Sequence, residues 1–292
     1  MIVDCQAIRE SILEQVRNEL EVIDCEYNIV PSLAIITIGE DDASKVYVRN
    51  KINTAESLGI KVHHIKLDST VTQSQAEHKI KEVCDSIVDA VMLQLPIPNH
   101  LDSDKLINLI PQYKDVDGLT DVNMGLLVNN RPNAIVPATA MGVYKVISSV
   151  LETNDLSGAD VTVINRSKLI GKPLQALLTN HNATVTLCHS RTDKLQNHTC
   201  CSHIVVTGVG QPKYFDSYYF SEHQLIIDCG INRDENGKLC GDVDTNEVND
   251  AYNVGITPVP KGVGVLTVAC LMLNVIQCHK LNKERYYEFF CE

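Results

Sequence analysis

The sequence lacks the features that mark several functional classes. It has no run of lysine and arginine, and its 25 basic residues against 37 acidic ones leave a formal net charge of -12. Such a chain repels phosphate backbones and anionic lipid, which argues against binding to nucleic acid or to a membrane surface. An anionic ligand must be held by a few placed cations. No Cys-x-x-Cys occurs among the 11 cysteines, their count is odd, and the ten histidines show no ligand spacing near them. A disulfide framework and a zinc site are therefore disfavoured and no metal is expected; most of the thiols read as small apolar side chains in a reducing compartment. The adjacent Cys200-Cys201 reads as a helix or strand end, with a redox switch as the alternative. The N-terminus, Met1-Ile2-Val3-Asp4-Cys5, lacks the basic start and apolar core of a signal peptide, and no stretch approaches a membrane span, so a cytoplasmic location is expected. Internal repeats, low-complexity tracts and flexible linkers are absent as well.

What is present is a 292-residue chain, 44% hydrophobic along its whole length, enough for two domains with sizeable cores. Apolar runs of strand length alternate with segments of helical period, the pattern of βα units around mostly parallel sheets. Residues 33–38, 62–67 and 90–95 read as strands, with helices over 8–22, 44–58, 75–87 and 104–110. A second series has a helix over 139–151, strands over 160–164, 184–188, 203–207 and 224–228, and a last helix over 266–280 after a turn at 262–264. The domain boundary falls near Pro137.

Candidate sites follow from where these elements end. The stretch from Val161 through Asn165, Arg166, Ser167 and Gly171 to Pro173 is a strand, a tight turn and a helix start, the place where a doubly wound sheet binds a dinucleotide. It is not G-x-G-x-x-G, and from this segment alone Arg166 is equally an ordinary solvated cation. The strands ending at Gly208-Val-Gly210 and Asp228-Cys-Gly230-Ile231-Asn232 add two more turns for a nucleotide crevice. Tyr47 and Lys51, four residues apart after Asp41, Asp42 and Ser44, put a phenol and an amine on one helical face; an amphipathic helix with an extended lysine is the bland alternative. Gln94-Leu-Pro-Ile-Pro98 leaves Gln94 at a strand end. In Asp115-Val-Asp117-Gly118 the acidic pair fits a cation or a plain turn.

Tyr47-x-x-x-Lys51, Gln94-Leu-Pro-Ile-Pro98, Lys114-Asp-Val-Asp-Gly118, Arg166-Ser167-x-x-x-Gly171-x-Pro173 and Thr257-Pro-Val-Pro260, in this order, resemble the bifunctional methylenetetrahydrofolate dehydrogenase/methenyltetrahydrofolate cyclohydrolase family over nearly the whole chain. The resemblance implies two α/β domains. An N-terminal catalytic folate domain would comprise 1–137 and 266–292, its C-terminal helix returning to it. A Rossmann-like, doubly wound NADP-binding domain would comprise 138–265, with folate in the cleft between. It also implies a homodimer acting on tetrahydrofolate derivatives in the one-carbon metabolism that feeds purine biosynthesis. By the same resemblance Tyr47, Lys51, Gln94 and Asp117 carry folate binding and catalysis, Leu93 and Leu95 line the pterin pocket, and Pro260, Gly262 and Gly264 close it. Asn165, Arg166, Ser167, Ser190 and Ile231 contact the cofactor, with Arg166 and Ser190 at the phosphate that distinguishes NADP from NAD. Oxidation of the methylene group needs chiefly orientation, whereas hydrolysis of the methenyl cation needs a proton acceptor, a task for Lys51.

Three motifs depart from the family pattern. Its G-R-S turn begins here with Asn165, a residue that tolerates positive φ; its P-C-T-P-x-G reads Pro137-Ala-Thr-Ala-Met-Gly142; its P-G-G-V-G-P-M-T reads Pro260-Lys261-Gly-Val-Gly264-Val-Leu-Thr267. The alternatives are a dehydrogenase with weak or no cyclohydrolase step, or one using NAD, and a non-catalytic folate-binding descendant.

Overall fold

The computed structural model describes residues 1–27, 29–39 and 42–290, without the side chains of 26, 27, 42, 43 and 285–290. Asp41 and the Asp42 side chain, expected at a helix N-terminus, thus lie outside the described residues. The chain forms two compact units, one of Met1–Glu10 with Thr139–Thr267 and one of Ser11–Ala138 with Val268–Glu292. Met1–Glu10, expected with the folate domain, belongs instead to the unit of Thr139–Thr267. The cause is main-chain pairing: Val3 N–H donates to Ile256 O and Ile256 N–H to Met1 O, both at 2.9 Å.

In the unit of Ser11–Ala138, three parallel strands, β1 (Ser32–Ile38), β2 (Lys61–Leu67) and β3 (Ala90–Leu93), run in the order β2-β1-β3. β1 is central and almost wholly buried, which is why it reads as an apolar run broken only by Thr37 after Ser32. Between the strands lie α2 (Asp42–Ser57) and α3 (Gln73–Cys84), after α1 (Cys5–Tyr27). A capping box starts α3, Thr72 and Gln75 each bonding the other's backbone, worth about 1 kcal/mol. Short α4 (Ser103–Ile107) and α5 (Asp121–Val128) follow. Asp102 and Thr120 cap them through their side chains. Sequence periodicity does not reveal α5, because it is apolar nearly all round and only eight residues long. Ala34, Ile36, Ile80, Val91, Leu93 and Leu106 make the core beneath one sheet face.

The other unit holds α6 (Ala138–Leu151), β4 (Asp160–Ile164), α7 (Gly171–Asn180), β5 (Thr184–Cys188), α8 (Leu195–Thr199), β6 (Ile204–Thr207), β7 (Leu225–Asp228), the two-residue strands β8 (Asn232–Arg233) and β9 (Leu239–Cys240), α9 (Thr245–Ala251) and β10 (Gly255–Ile256). Its five parallel strands run β10-β7-β6-β4-β5. That is the doubly wound order, and it reverses between β4 and β6. Cys200 sits at the C-terminal end of α8, the helix-end position expected of it.

The last helix, α10 (Val263–Phe290), is longer than its apolar period suggests. Contrary to the sequence reading, its stretch Val263–Glu284 is long and apolar enough in composition to cross a membrane. Cys270, Leu271, Met272, Val275, Ile276 and Cys278 are nevertheless buried in the protein, so the hydrophobicity is that of a core helix.

Candidate active site

α2 carries the first group of site residues. It contains no glycine or proline and ends at Ser57, just before Gly59, whose φ of +81 turns the chain out of the helix without steric cost. Buried Val48 and Ala55 anchor it, leaving Tyr47 43% exposed and Lys51 half-buried. Lys51 Nζ donates to Gln94 Oε1 at 2.9 Å. Gln94 is aimed twice over: its N–H continues the sheet by donating to Ile36 O at 2.8 Å, and its Nε2 donates to Leu95 O at 2.6 Å. Burial lowers the Lys51 pKa, with Asp117 pulling the other way. Burial pushes the Asp117 carboxyl up to about 6, against Lys51, which lowers it. Amine, amide and carboxylate, far apart in sequence, thus share one partly dehydrated locus in which the amine yields its proton more readily than in water.

The Lys114–Gly118 loop divides its labour. Lys114 is buried and its Nζ donates to Cys84 O and Ser86 O, both at 2.8 Å. Asp115 Oδ2 accepts from Thr120 N–H and from Asn123 Nδ2, both at 2.9 Å. These two hold the loop, and Asp117 is left beside the amine of Lys51. Gly118 has φ +66, and a Cβ there would meet Ile135 O at 2.4 Å, so no side chain fits. Asn274 of α10 donates to Val116 O and Val136 O, both at 2.8 Å. Asn123 and Asn274 are supports that the motifs do not reveal; the only signal is a polar residue inside an apolar helix. Leu93, expected on the pterin pocket wall, is 2% exposed and packs in the core at the end of β3. Leu95 packs beside that core and stays half-exposed.

The second group lies at the carboxyl ends of β4, β5 and β7. Ile164 pairs with Cys188 in the β4–β5 register, so Arg166 and Ser190 each stand two residues beyond a paired position, on neighbouring strand ends. Both are exposed. Asn165 is not at positive φ, contrary to the rationale drawn from sequence; its side chain builds the turn instead. Oδ1 accepts from Ser167 N–H at 2.7 Å and Gly171 N–H at 3.0 Å, while Nδ2 donates to Gly208 O. This amide spans the reversal between β4 and β6 and is spent on the scaffold. Ser167 Oγ accepts from Ile170 N–H at 3.1 Å, so it too shapes the turn. A Cβ on Gly171 would lie 1.9 Å from Asn165 O, which makes glycine obligatory there.

Ile231, 51% exposed, rides on loops that two buried aspartates organise. Asp228 accepts from the N–H groups of Gly230, Asp242 and Val243 at 2.8, 3.1 and 2.9 Å. Asp242 accepts from Val209 N–H, from Gln211 N–H at 3.0 Å and from Asn232 Nδ2 at 2.8 Å. Burial raises the Asp228 carboxyl to about 6 despite those donors. Sequence reading passed over Asp242. Of the closing residues, Pro260 is exposed, Gly262 has no room for a Cβ, which would meet Pro258 O at 2.1 Å, and Gly264 lies within α10 rather than in a turn. Lys261 is exposed and holds φ +76, the left-handed conformation that a glycine takes without strain. Ala138 and Ala140 are buried, so this departure concerns packing.

The comparisons agree with this geometry. Residues 3–117 match the catalytic domain of tetrahydrofolate dehydrogenase/cyclohydrolase, and residues 137–283 match its NAD(P)-binding domain. The bifunctional protein FolD of Wolbachia sp. subsp. Drosophila simulans (strain wRi) is 38% identical over 97% of this chain and 96% of its own. The crystal structure of the bifunctional enzyme FolD, a methylenetetrahydrofolate dehydrogenase/cyclohydrolase, from Campylobacter jejuni superposes with a TM-score of 0.91 at 33% identity, covering 97% of this chain and 99% of its own. The Trypanosoma brucei methylenetetrahydrofolate dehydrogenase-cyclohydrolase, solved with NADP cofactor and an inhibitor, gives 0.88 at 30% identity, covering 97% and 98%. The chain belongs to the tetrahydrofolate dehydrogenase/cyclohydrolase family.

Proposed function

We propose that the protein is a bifunctional enzyme of one-carbon metabolism: it oxidises 5,10-methylenetetrahydrofolate to 5,10-methenyltetrahydrofolate with NADP and hydrolyses that product to 10-formyltetrahydrofolate. The observation that carries this reading is the Lys51–Gln94 hydrogen bond of 2.9 Å with Asp117 in electrostatic reach of the amine. Folate is assigned to these residues with Tyr47 and Leu95, and the cofactor to Arg166, Ser190 and Ile231. A cation and a hydroxyl on neighbouring strand ends fit the extra phosphate of NADP. By the family resemblance the protein is further read as a cytoplasmic homodimer, and by its net charge of -12 as a binder of neither nucleic acid nor membrane.

In oxidation, a nitrogen lone pair of the folate closes onto the methylene carbon as its C–H bond leaves with both electrons. NADP, when bound, accepts that hydride. The protein's task here is orientation. Asp117, ionised above about pH 6, accepts hydrogen bonds from the pterin amino and ring N–H groups, and Tyr47 flanks the folate. In hydrolysis, water oxygen bonds to the methenyl carbon and its proton passes to the neutral fraction of Lys51, which burial enlarges. The remaining hydroxyl proton then leaves to solvent as the C=O bond forms and the N5–C bond breaks, N5 takes the proton held by the Lys51 ammonium, and the formyl group stays on N10. Gln94 holds Nζ in place through its Oε1.

The test is to supply methylenetetrahydrofolate with NADP or NAD and to follow reduced cofactor, methenyl and formyl products together, with Lys51→Met alongside. The wild type is expected to form all three with NADP preferred, and the variant to accumulate methenyltetrahydrofolate while reduction continues. Equal losses in both steps would make Lys51 a binding residue only. Absence of every product from the wild type would overturn the assignment.

A further inference from the structure

His279 of α10 is 1% exposed, and its Nδ1 lies 2.9 Å from Asp89 Oδ1. The other carboxylate oxygen, Oδ2, accepts from Ser32 N–H and Ser32 Oγ, both at 2.8 Å. Burial pushes the Asp89 carboxyl up, but the donors on His279 and Ser32 outweigh it and hold it below the ordinary value. At neutral pH the carboxylate is therefore an ionised acceptor and Nδ1 is the donor. The opposite ring nitrogen, Nε2, is buried and finds no hydrogen-bond partner among the described residues. An orphaned buried nitrogen is costly, and leucine would fill the same space without that cost. Packing alone does not account for this histidine.

What the pair holds is the base of the Lys51 locus, within one compact unit. Asp89 immediately precedes β3, which leads into Gln94, and Tyr113 begins the segment that leads to Asp117. Among the described residues two backbone hydrogen bonds join these neighbours, Val91 N–H to Lys114 O at 2.7 Å and Val116 N–H to Val91 O at 3.3 Å. So short a ladder fixes register weakly. A slip of one residue would carry Asp117 about 3.3 Å along the strand and turn side chains to the opposite face. α10 supplies the constraint. Asn282, one turn beyond His279 on the same face, donates from Nδ2 to Asp89 O at 2.8 Å and to Tyr113 O at 3.3 Å, bridging the two starts. Asn274 holds the far end at Val116 O, at 2.8 Å. The stretch from Asn274 to Asn282 spans about 12 Å of helix, and that from Tyr113 to Val116 about 10 Å of extended chain. The helix is thus a ruler laid antiparallel along the segment.

We infer that His279 is a positioning residue for the Lys51 locus: with Asn282 it pins the amino ends of β3 and of the Tyr113–Asp117 segment, and so sets where Gln94 and Asp117 stand around the amine. Fixing register, rather than adding stability, is the best-attested use of a buried polar pair. The catalytic consequence rests on the enzymatic reading above. Proton transfer through Lys51 depends on Gln94 holding Nζ, and a displacement of about 1 Å can cost such a step about a hundredfold. Hydride passes from folate to cofactor without Lys51, so hydrolysis carries most of the loss.

The experiment compares the full chain with His279→Leu, which removes the donor, with His279→Asn, whose Nδ2 falls where the ring Nδ1 stands, and with Leu271→Ala, which opens a cavity in the same helix. Each is unfolded in urea, and kcat and KM are measured on the folded fraction for reduction of NADP and, from methenyltetrahydrofolate, for hydrolysis. His279→Leu is expected to lower the hydrolytic kcat about tenfold and that of reduction by no more than about twofold. His279→Asn restores most of the loss, and Leu271→Ala lowers the urea midpoint while leaving the ratio of the two kcat values unchanged. The Lys51 side chain is titrated by NMR in the same proteins. With Asp117 and Gln94 displaced, its pKa falls further below the ordinary lysine value in His279→Leu alone. If His279→Leu does not fold, His279→Gln, which keeps the bulk and moves the donor out to the Nε2 position, takes its place with the same expectations. Equal losses in both steps, a ratio shifted as much by Leu271→Ala, or no rescue by His279→Asn overturns the proposal. Should the wild type turn over neither folate, the enzymatic reading fails and the Lys51 titration decides the role of His279: a midpoint unmoved by His279→Leu overturns it.

Discussion

Replacing Asp117 with asparagine should make the protein more stable and less active at once. The carboxyl is raised from 3.8 to about 6 by burial, against the pull of Lys51. A shift of that size is about 3 kcal/mol of penalty on the ionised folded state. Asparagine removes the charge, but it also strips Lys51 of its counter-charge, so the net gain is expected at about 1–2 kcal/mol. The sign sets a pH window. An acid whose folded pKa exceeds its unfolded value costs nothing below the unfolded pKa, because both states are protonated. The cost grows between about pH 4 and pH 6 and is complete above that range. Urea unfolding of wild type and Asp117→Asn across pH 3.5 to 8 should therefore show midpoints that coincide near the acid end and separate above about pH 6 in favour of the variant. Folate KM should rise at every pH. A variant that is less stable at neutral pH, or a midpoint difference that does not change with pH, would refute the electrostatic account of this residue.

Arg166→Ala should reduce the ratio of kcat/KM for NADP over NAD by about 10- to 100-fold, the worth of a charge-assisted phosphate contact; an unchanged ratio removes Arg166 from the phosphate. Lys261→Gly relieves a left-handed lysine at the entropic cost of a glycine, so the thermal midpoint should rise slightly, by about 0.5 kcal/mol of stability, and affinity for folate and cofactor should change only modestly. If it converted an inactive protein into a working dehydrogenase, the wild type would be a non-catalytic descendant. Asp242→Ala orphans three donors and should cost about 2–4 kcal/mol of stability while weakening NADP binding more than it slows turnover; Asp242→Asn, which keeps one acceptor oxygen, should recover part of both.

The sheets were legible because parallel strands buried on both faces announce themselves: Leu33 to Ile38 and Val161 to Ile164 are apolar but for one threonine each, Thr37 and Thr162, and their bounds differ from the observed strands by a residue or less. α5 escaped because Gly125 sits within it and its apolar residues show no single face. Lys51, Gln94 and Asp117 were legible as a set of motifs, yet nothing local in the sequence says that Asp115 and Lys114 face inward while Asp117 faces the amine. That division depends on Asn123, Thr120 and the carbonyls of Cys84 and Ser86, contacts made across loops. Asn165 shows the same limit. Sequence registers an altered turn residue, whereas its use, as a brace across the strand reversal, depends on Gly208 being the next strand's terminus.

The support of the Lys114–Gly118 loop by α10 sets an order in time. Asn274 grips Val116 O and Val136 O, and Asn282 donates to Tyr113 O and Asp89 O. Each grip is contributed by a residue synthesised more than a hundred positions after the segment it holds. A ribosome that has translated past Gly118 has made every ligand-facing group of the Lys51 locus, yet the loop presenting Asp117 still lacks its anchors until the last helix emerges. Stalled or prematurely terminated chains would thus carry the complete catalytic inventory without a fixed carboxylate, and the reaction would be withheld from any product that quality control has yet to clear.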